Sequence, residues 1–594
     1  MTTKQKLESL RRLIKKYGFS AYIIPSSDPN MSYDIPARYR AIEWLTGFTG
    51  SAGILVVTGN FAGLWTDPRY FIQAEKQLHG TGVELMKLND PRRPAYIDWF
   101  AGNTPKGGIV GFDGNVVSAR LAKMIREALG EKDIAIDYSK DLIDLIWKDR
   151  PALPPDAVFE YGEKFSGKSR KNKLDEVMKE LREEEIDFNL LTSADDIAWL
   201  FNLRGSDMQH SPLFVAYAII SRFNALLFAD ELKIPGGVKA SLMKDGVSIY
   251  NPSEIEKHLN RLPKGRRVLL TPAKTNIYLY DIISSHCRIV DGRSIPALMK
   301  TSKNETEISH LRNVMIKEGV ALVRFFIWLE RSCPKRSITE YTAARQLEMI
   351  RSREDTYTGN SFSPIVAYGA NAAQAHYTPG EETAAELRGG GLLLVDSGAQ
   401  YLDGTTDTTR TVSLGTPTRQ QKRDFTLVLK GHIEIATTVF PEGTRGFHLD
   451  AFARKHMWRY GINYGHGTGH GVGFFLNVHE GPPSISPNSA NDTSLQPGMV
   501  LSNEPGIYRE DQHGIRTENL VLVKKHSESR WGVFLTFETL TLFPVEFSLI
   551  ESSMLSPFEK EWLNNYHSRV YEKLSPFLNL KEKEWLKNKT AKIQ

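Results

Sequence analysis

His466-Gly467-Thr468-Gly469-His470-Gly471-Val472-Gly473 is the stretch whose reading decides the fold. Two histidines one helical turn apart invite a zinc-helix reading. Glycines at 465, 467, 469, 471 and 473 exclude it, because each costs about 1 kcal/mol inside a helix. Alternating glycines instead suit a strand or loop that another backbone, a ligand or a substrate approaches closely. Working outward, the flanking sequence holds acids at strand ends. Asp396 closes the apolar run Leu392-Leu393-Leu394-Val395, and Asp407 opens Thr408-Thr409-Arg410-Thr411-Val412. Glu504 follows Met499-Val500-Leu501-Ser502-Asn503, and Glu518 precedes Leu520-Val521-Leu522-Val523. The pattern predicts two strand pairs, one carrying Asp396 and Asp407 and one carrying Glu504 and Glu518, with His470 between them.

Such a convergence implies a cation. Two unit charges 4 Å apart repel by about 4 kcal/mol at an effective dielectric near 20, so four converging carboxylates protonate or separate unless neutralised. Their charge matches about two divalent ions. An oxygen-rich set with one imidazole suits Mn²⁺, Co²⁺ or Zn²⁺. Paired ions are a recurring hydrolytic device. His376, His466 and His479 lie in the same segment, where a neutral imidazole can ligate, carry a proton or orient a carbonyl; spacing does not assign these roles.

The surrounding helices follow from capping signatures. Asn304-x-x-Glu307, Ser337-x-x-Glu340 and Thr418-x-x-Gln421 each predict a helix start, and Leu449–Tyr460 an amphipathic helix closed by Gly461. Residues 301–594 therefore read as an α+β domain, helices on an antiparallel sheet with the site on the other face. A helical tail after Pro557, with Trp562, Tyr566, Tyr571, Leu574, Phe577 and Trp585, either folds back on this domain or is buried in a homodimer contact.

At 594 residues the chain exceeds one core. Residues 1–153 alternate strands (Ala21–Pro25, Gly53–Val57) with helices (Pro68–Gln77, Val117–Leu129) as an α/β domain, closed by the proline-rich Pro151-Ala152-Leu153-Pro154-Pro155. Residues 154–300 read as a divergent copy. Ile42-Glu43-Trp44-Leu45 recurs as Ile197-Ala198-Trp199-Leu200, and Leu64-Trp65-Thr66-Asp67 as Leu227-Phe228-Ala229-Asp230. Gly162-Glu163-Lys164-Phe165-Ser166-Gly167-Lys168-Ser169 matches the phosphate-loop pattern, but a proline-rich linker precedes it where a buried strand is required. Ser166 and Ser169 are better read as starting a helix over Leu174–Arg182.

A net charge of +5 with dispersed basic residues gives no nucleic-acid signature. No apolar run reaches the ~18 residues of a membrane span, and the N-terminus lacks a signal core. With only Cys287 and Cys333 there is no disulfide framework or thiolate metal site, which points to the cytoplasm.

The combined motifs Asp396-Ser397-Gly398, Asp403-Gly404-Thr405-Thr406-Asp407, the 466–473 stretch, Asn477-Val478-His479-Glu480-Gly481-Pro482, Glu504-Pro505-Gly506 and Glu518-Asn519 resemble the pita-bread metallopeptidases. Together with Ile197-Ala198-Trp199-Leu200-Phe201-Asn202-Leu203-Arg204-Gly205, they look like the long, three-domain cytosolic aminopeptidase P (Xaa-Pro aminopeptidase) family. The resemblance implies two related N-terminal α/β domains and a pita-bread catalytic domain. It implies two divalent ions, usually Mn²⁺, bridged by Asp407 and Glu518, with Asp396 completing one shell and His470 and Glu504 the other. A hydroxide held between the ions would attack the bond before proline in short peptides with proline second. Glu504 would handle the proton, His466 would shuttle it, and His376 and His479 would hold substrate and stabilise charge. The N-terminal domains would restrict access to short peptides, and the enzyme would be a homodimer through its C-terminal domain. A prolidase-like dipeptidase and a non-catalytic peptide-binding module remain the alternatives.

Overall fold

The structure, a computed structural model, describes residues 1–88, 95–130, 132–333 and 337–594. The chain divides into two compact units, Met1–Met299 and Lys300–Gln594.

The first unit contains two six-stranded mixed sheets of the same topology. In one the spatial order is Glu84–Lys87, Ala62–Thr66, Ile54–Thr58, Ala21–Pro25, Ile109–Phe112, Ala135–Asp137. In the other it is Val247–Tyr250, Ala225–Ala229, Ala216–Ser221, Phe188–Leu191, Arg267–Leu270, Arg288–Asp291. In chain order each sheet's first strand, Ala21–Pro25 or Phe188–Leu191, pairs antiparallel with the second and parallel with the fifth. The sequence echoes fall on equivalent places. Trp44 and Trp199 lie on the helices Ala41–Thr46 and Ala194–Leu200 after the first strands, and Asp67 and Asp230 each cap the 3-10 turn after the third. The phosphate-loop look-alike follows a two-residue exposed strand, Phe159–Glu160, and forms the four-residue helix Glu163–Ser166 closed by Gly167. Ser169 then caps the helix Arg170–Glu183 by accepting the Asn172 N–H, so this segment builds no phosphate cradle.

In the second unit the strands pair antiparallel. Leu392–Ser397 lies between Ile365–Tyr368 and Thr408–Ser413, with Asp396 opposite Thr409. Val500–Asn503 pairs with Asn519–Ser529, with Asn503 opposite Asn519. Neither acid pair is joined by a simple turn. Ala399–Tyr401 and Gly404–Thr405 form an excursion between the first two strands, and Gly506–Arg509 and His513–Arg516 form the corresponding hairpin between the other two. The helices Arg419–Thr437 and Gly446–Trp458 cover one face of the larger sheet, where Ile435, Leu449 and Ala453 meet Leu501, Val521, Val523 and Leu535. Each large aliphatic side chain so buried contributes roughly 1.5–3 kcal/mol.

Asn304 and Thr418 cap their helices with the expected boxes. The Ser337 expectation is corrected: the helix Glu340–Arg351 is capped by Thr339 in a box with Thr342. Glu340 does not turn back to cap, because its buried carboxylate accepts from the Tyr368 and Ala385 N–H groups, the Asn371 amide and the Tyr377 hydroxyl. The tail folds onto its own unit as the helices Pro557–Leu574 and Leu580–Lys589. Leu563, Val570 and Leu574 are buried, and the Trp585 indole donates to Glu330 at 2.7 Å.

Candidate active site

Backbone register brings the acids together. Asp396 and Asp407 sit at the same end of one strand pair, Glu504 and Glu518 at the same end of the other, and the Glu518 N–H donates to the Thr409 carbonyl to join the two pairs. His470 enters on the short strand Gly469–Gly471, whose glycines permit the approach. A Cβ on Gly469 would lie 1.9 Å from the Ser502 carbonyl oxygen, and one on Gly471 would lie 2.3 Å from that of Glu480. Ligand-capable atoms of Asp407, His470 and Glu518 all lie within 4.8 Å of one another.

The imidazole is oriented for ligation. His470 Nδ1 is 2.9 Å from the Gly471 carbonyl, so it carries the proton and donates, leaving the Nε2 lone pair inward. Nε2 stands 3.5 Å from Asp407 and 3.6 Å from Glu504, too far for good hydrogen bonds and suited to donors around a shared ion. Burial and the neighbouring charges of Asp396 and Glu504 hold the Asp407 carboxyl well above the usual range. Burial, with Asp407 and Asp396 nearby, does the same to Glu518. Glu504 is pushed up to about 8 by burial and by Glu518. One oxygen of Asp396 hydrogen-bonds Arg516, while its other, buried oxygen has no hydrogen-bond partner. Mutually repelling recessed acids, an unpartnered carboxylate oxygen and an inward imidazole lone pair fit divalent cations.

The remaining histidines occupy different places. His466 Nδ1 donates to the Gly467 carbonyl at 2.7 Å, and Nε2 lies 2.8 Å from the Tyr508 hydroxyl. Arg516 in turn donates to Tyr508 at 2.6 Å. His479 lies against His470, ring centroids 4.1 Å apart. His376 sits half-buried on the turn after the 3-10 helix Gly369–Ala373, which packs beside His513–Arg516.

Sequence reasoning missed the polar supports. Arg516 bonds Asp396, Tyr508 and Thr409, and Thr409 donates to Glu518 at 2.7 Å. Arg454 bonds Asp450 and the carbonyls of Tyr464 and His466, fixing the loop that leads into the glycine stretch. Arg351, fully buried with Glu318, donates to Ser397 and the Gly398 carbonyl beneath Asp396. Arg516 alone had a usable signal: an arginine only two residues before Glu518 is close enough to offset its charge.

Recessed acids and an inward imidazole on an α+β scaffold define a metal-dependent hydrolase. A model of metallopeptidase family M24 matches residues 309–525, and one of the C-terminal region of peptidase M24 matches 533–593. Creatinase/prolidase N-terminal domain models match 6–146 and 149–307. The chain is 39% identical over 618 residues to a probable Xaa-Pro aminopeptidase P of Coprinopsis cinerea, with 100% of this chain and 98% of the relative covered. It is 39% identical to aminopeptidase P2 of Arabidopsis thaliana, with coverage of 99% and 88%. X-prolyl aminopeptidase from Caenorhabditis elegans, described as a cytosolic enzyme with a di-nuclear active site, matches with a TM-score of 0.95 at 33% identity over 100% of both chains. The chain belongs to metallopeptidase family M24 and carries two creatinase/prolidase-type N-terminal domains.

Proposed function

We propose that this chain is an Xaa-Pro aminopeptidase, releasing the N-terminal residue of short peptides whose second residue is proline. The observation that carries the reading is the clustering of Asp407, His470 and Glu518, with Glu504 beside His470, in a chain similar over its whole length to proteins named for that activity. Asp396, Asp407, His470, Glu504 and Glu518 would hold two divalent ions, Mn²⁺ in our reading. Bound there, such ions supply a water that ionises near neutral pH and Lewis acidity toward a peptide carbonyl.

The chain's own groups do the rest. Glu504, whose carboxylate lies 3.6 Å from His470 Nε2, is assigned to taking up and returning a proton. His466, linked to Arg516 through the Tyr508 hydroxyl, is assigned to proton relay. His479 against His470, and His376 on its turn, are assigned to holding the substrate and stabilising charge on its carbonyl oxygen.

The test is release of the first residue from an Xaa-Pro-Yaa tripeptide by the Mn²⁺-reconstituted protein, with Xaa-Ala-Yaa and dipeptide Xaa-Pro alongside, each with and without chelator. Chelator-sensitive cleavage of the proline tripeptide alone is expected. Preference for the dipeptide would replace the reading with a prolidase. A cytoplasmic location and a homodimer through the catalytic unit complete the proposal. Supporting the dimer, the helix Gly446–Trp458 exposes Phe447 and Trp458, three turns apart on one face. Phe447→Asp with Trp458→Asp should yield a monomer by light scattering; an unchanged mass would remove that face from the proposal.

A further inference from the structure

His432 lies fully buried on the helix Arg419–Thr437, and its ring hydrogen-bonds the neighbours of two proposed ligands. Its Nδ1 is 3.0 Å from the carbonyl oxygen of Asn503, the residue before Glu504. Its Nε2 is 3.0 Å from the amide nitrogen of Asn519, the residue after Glu518. Asn503 returns a bond, its side-chain amide donating to the His432 carbonyl at 2.9 Å. Asn503 and Asn519 are opposite one another in the strand pair that carries the two glutamates.

The direction of every bond follows from one donor. Arg410, on the strand that begins after Asp407, can only donate. It reaches Asn519 Oδ1 at 2.8 Å and the Glu518 carbonyl at 2.6 Å. Asn519 therefore turns its oxygen to Arg410 and its NH₂ to His432. Nε2 then accepts from that NH₂ and Nδ1 carries the proton donated to the Asn503 carbonyl, with the Thr517 carbonyl also beside the ring. A protonated ring would set an N–H against the Asn519 NH₂. The same conclusion follows from burial and the nearby Arg410 charge, which hold His432 down at about 3. Arg410 itself is anchored by the carbonyls of Phe543 and Pro544 and by the Tyr566 hydroxyl of the tail helix.

We propose that His432 is a positioning residue for the catalytic centre: Arg410, Asn519, His432 and Asn503 form one hydrogen-bonded clasp that fixes the spacing of the strands bearing Asp407, Glu518 and Glu504. The inference rests on reading those acids as metal ligands. A group that holds ligands in place acts on cation affinity and turnover, and supporting residues of metal sites typically change these 10–100-fold when removed. A group that only fills the core changes stability instead.

The experiment compares the full-length chain with His432→Ala and His432→Gln, the second keeping a side-chain amide that can replace one contact but not both. Mn²⁺ binding to the chelated protein is measured by titration calorimetry, alongside the melting temperature of the chelated form and kcat and KM for an Xaa-Pro-Yaa tripeptide. We expect Mn²⁺ affinity to fall roughly 10–100-fold in His432→Ala and less in His432→Gln. KM at saturating Mn²⁺ should stay within about twofold and kcat should fall. Unchanged Mn²⁺ affinity in a folded variant, or a lowered melting temperature with wild-type affinity and kcat, overturns the proposal. Should His432→Ala not fold, His432→Gln carries the same criteria. Failure of the wild-type chain itself to take up Mn²⁺ would refute the underlying site reading, an outcome separate from any difference between variants.

Discussion

Stripping cations from the catalytic unit should give it a stability that declines with rising pH. Glu504 titrates near 8 in the folded chain against an ordinary 4.5, so between those values the folded state binds the extra proton. Stability then falls as pH rises, by about 5 kcal/mol across the window for this one group. Asp407 and Glu518, raised by burial and by neighbouring acids, act in the same direction. About 3.5 kcal/mol of this falls between pH 5 and pH 8, so at roughly 2 °C per kcal/mol for a unit of this size the chelated protein should lose ~7 °C in melting temperature across that range. Saturating Mn²⁺ should reverse the slope, because ligation needs the acids ionised. The assay is calorimetric melting at pH 5, 6, 7 and 8, with chelator and with Mn²⁺. A chelated protein whose melting temperature is flat or rises across that range would show that the carboxylates do not converge as described.

Other perturbations separate the roles of neighbouring groups. Asp407→Ala or His470→Ala should abolish chelator-sensitive turnover, a loss beyond the 10–100-fold of a supporting residue, with the fold kept by circular dichroism; retained turnover would move the site elsewhere. Tyr508→Phe removes the hydroxyl 2.8 Å from His466 and should lower kcat about tenfold with little change in KM, a split read from steady-state kinetics. Arg351→Met strands the buried Glu318 carboxylate and should cost about 3–5 kcal/mol in denaturant unfolding, largely restored by adding Glu318→Leu. No recovery in the double variant would mean that the Ser397 and Gly398 bonds of Arg351 matter more than its ion pair.

The convergence of the acids on His470 was legible because each residue advertises itself locally. An acid at the end of an apolar strand, or a histidine framed by glycines, is a departure from pattern that a reader can see within ten residues. The duplicated N-terminal sheets were legible for a related reason: Trp44 and Trp199, and Asp67 and Asp230, hold the same topological posts. The supporting shell was not legible. His432 sits in Leu429-Lys430-Gly431-His432-Ile433, which reads as the inner stripe of an ordinary amphipathic helix. Its partners Asn503 and Asn519 lie 71 and 87 residues away, and no local pattern marks those distances. The Ser337 misreading has the same origin. Glu340 looks like a capping residue in sequence and is instead the buried anchor of the 368–385 segment.

The two acid-bearing strand pairs share a plan, and where they diverge indicates what the excursions are for. In the aspartate half the excursion, Ala399–Tyr401 with Gly404–Thr405, pairs with Tyr357–Asn360 and presents the Tyr401 hydroxyl to Glu318, so it ties the Asp396 turn to the flanking helices. In the glutamate half the excursion supplies Tyr508 and Arg516. Arg516 is a permanent cation held between Asp396 and Tyr508, and it therefore lowers the repulsion among the acids whether or not other cations are bound. It also reaches His466 through Tyr508, so the same hairpin that partly neutralises the acids fixes the imidazole assigned to move protons. The hairpin itself is fastened from outside by Asp424 on the His432 helix, through Arg509 and His513. One helix thus secures both the clasp behind the glutamates and the hairpin in front of them. Displacement of that helix would disturb cation binding and proton transfer together, so variants that loosen it should show coupled losses of Mn²⁺ affinity and kcat.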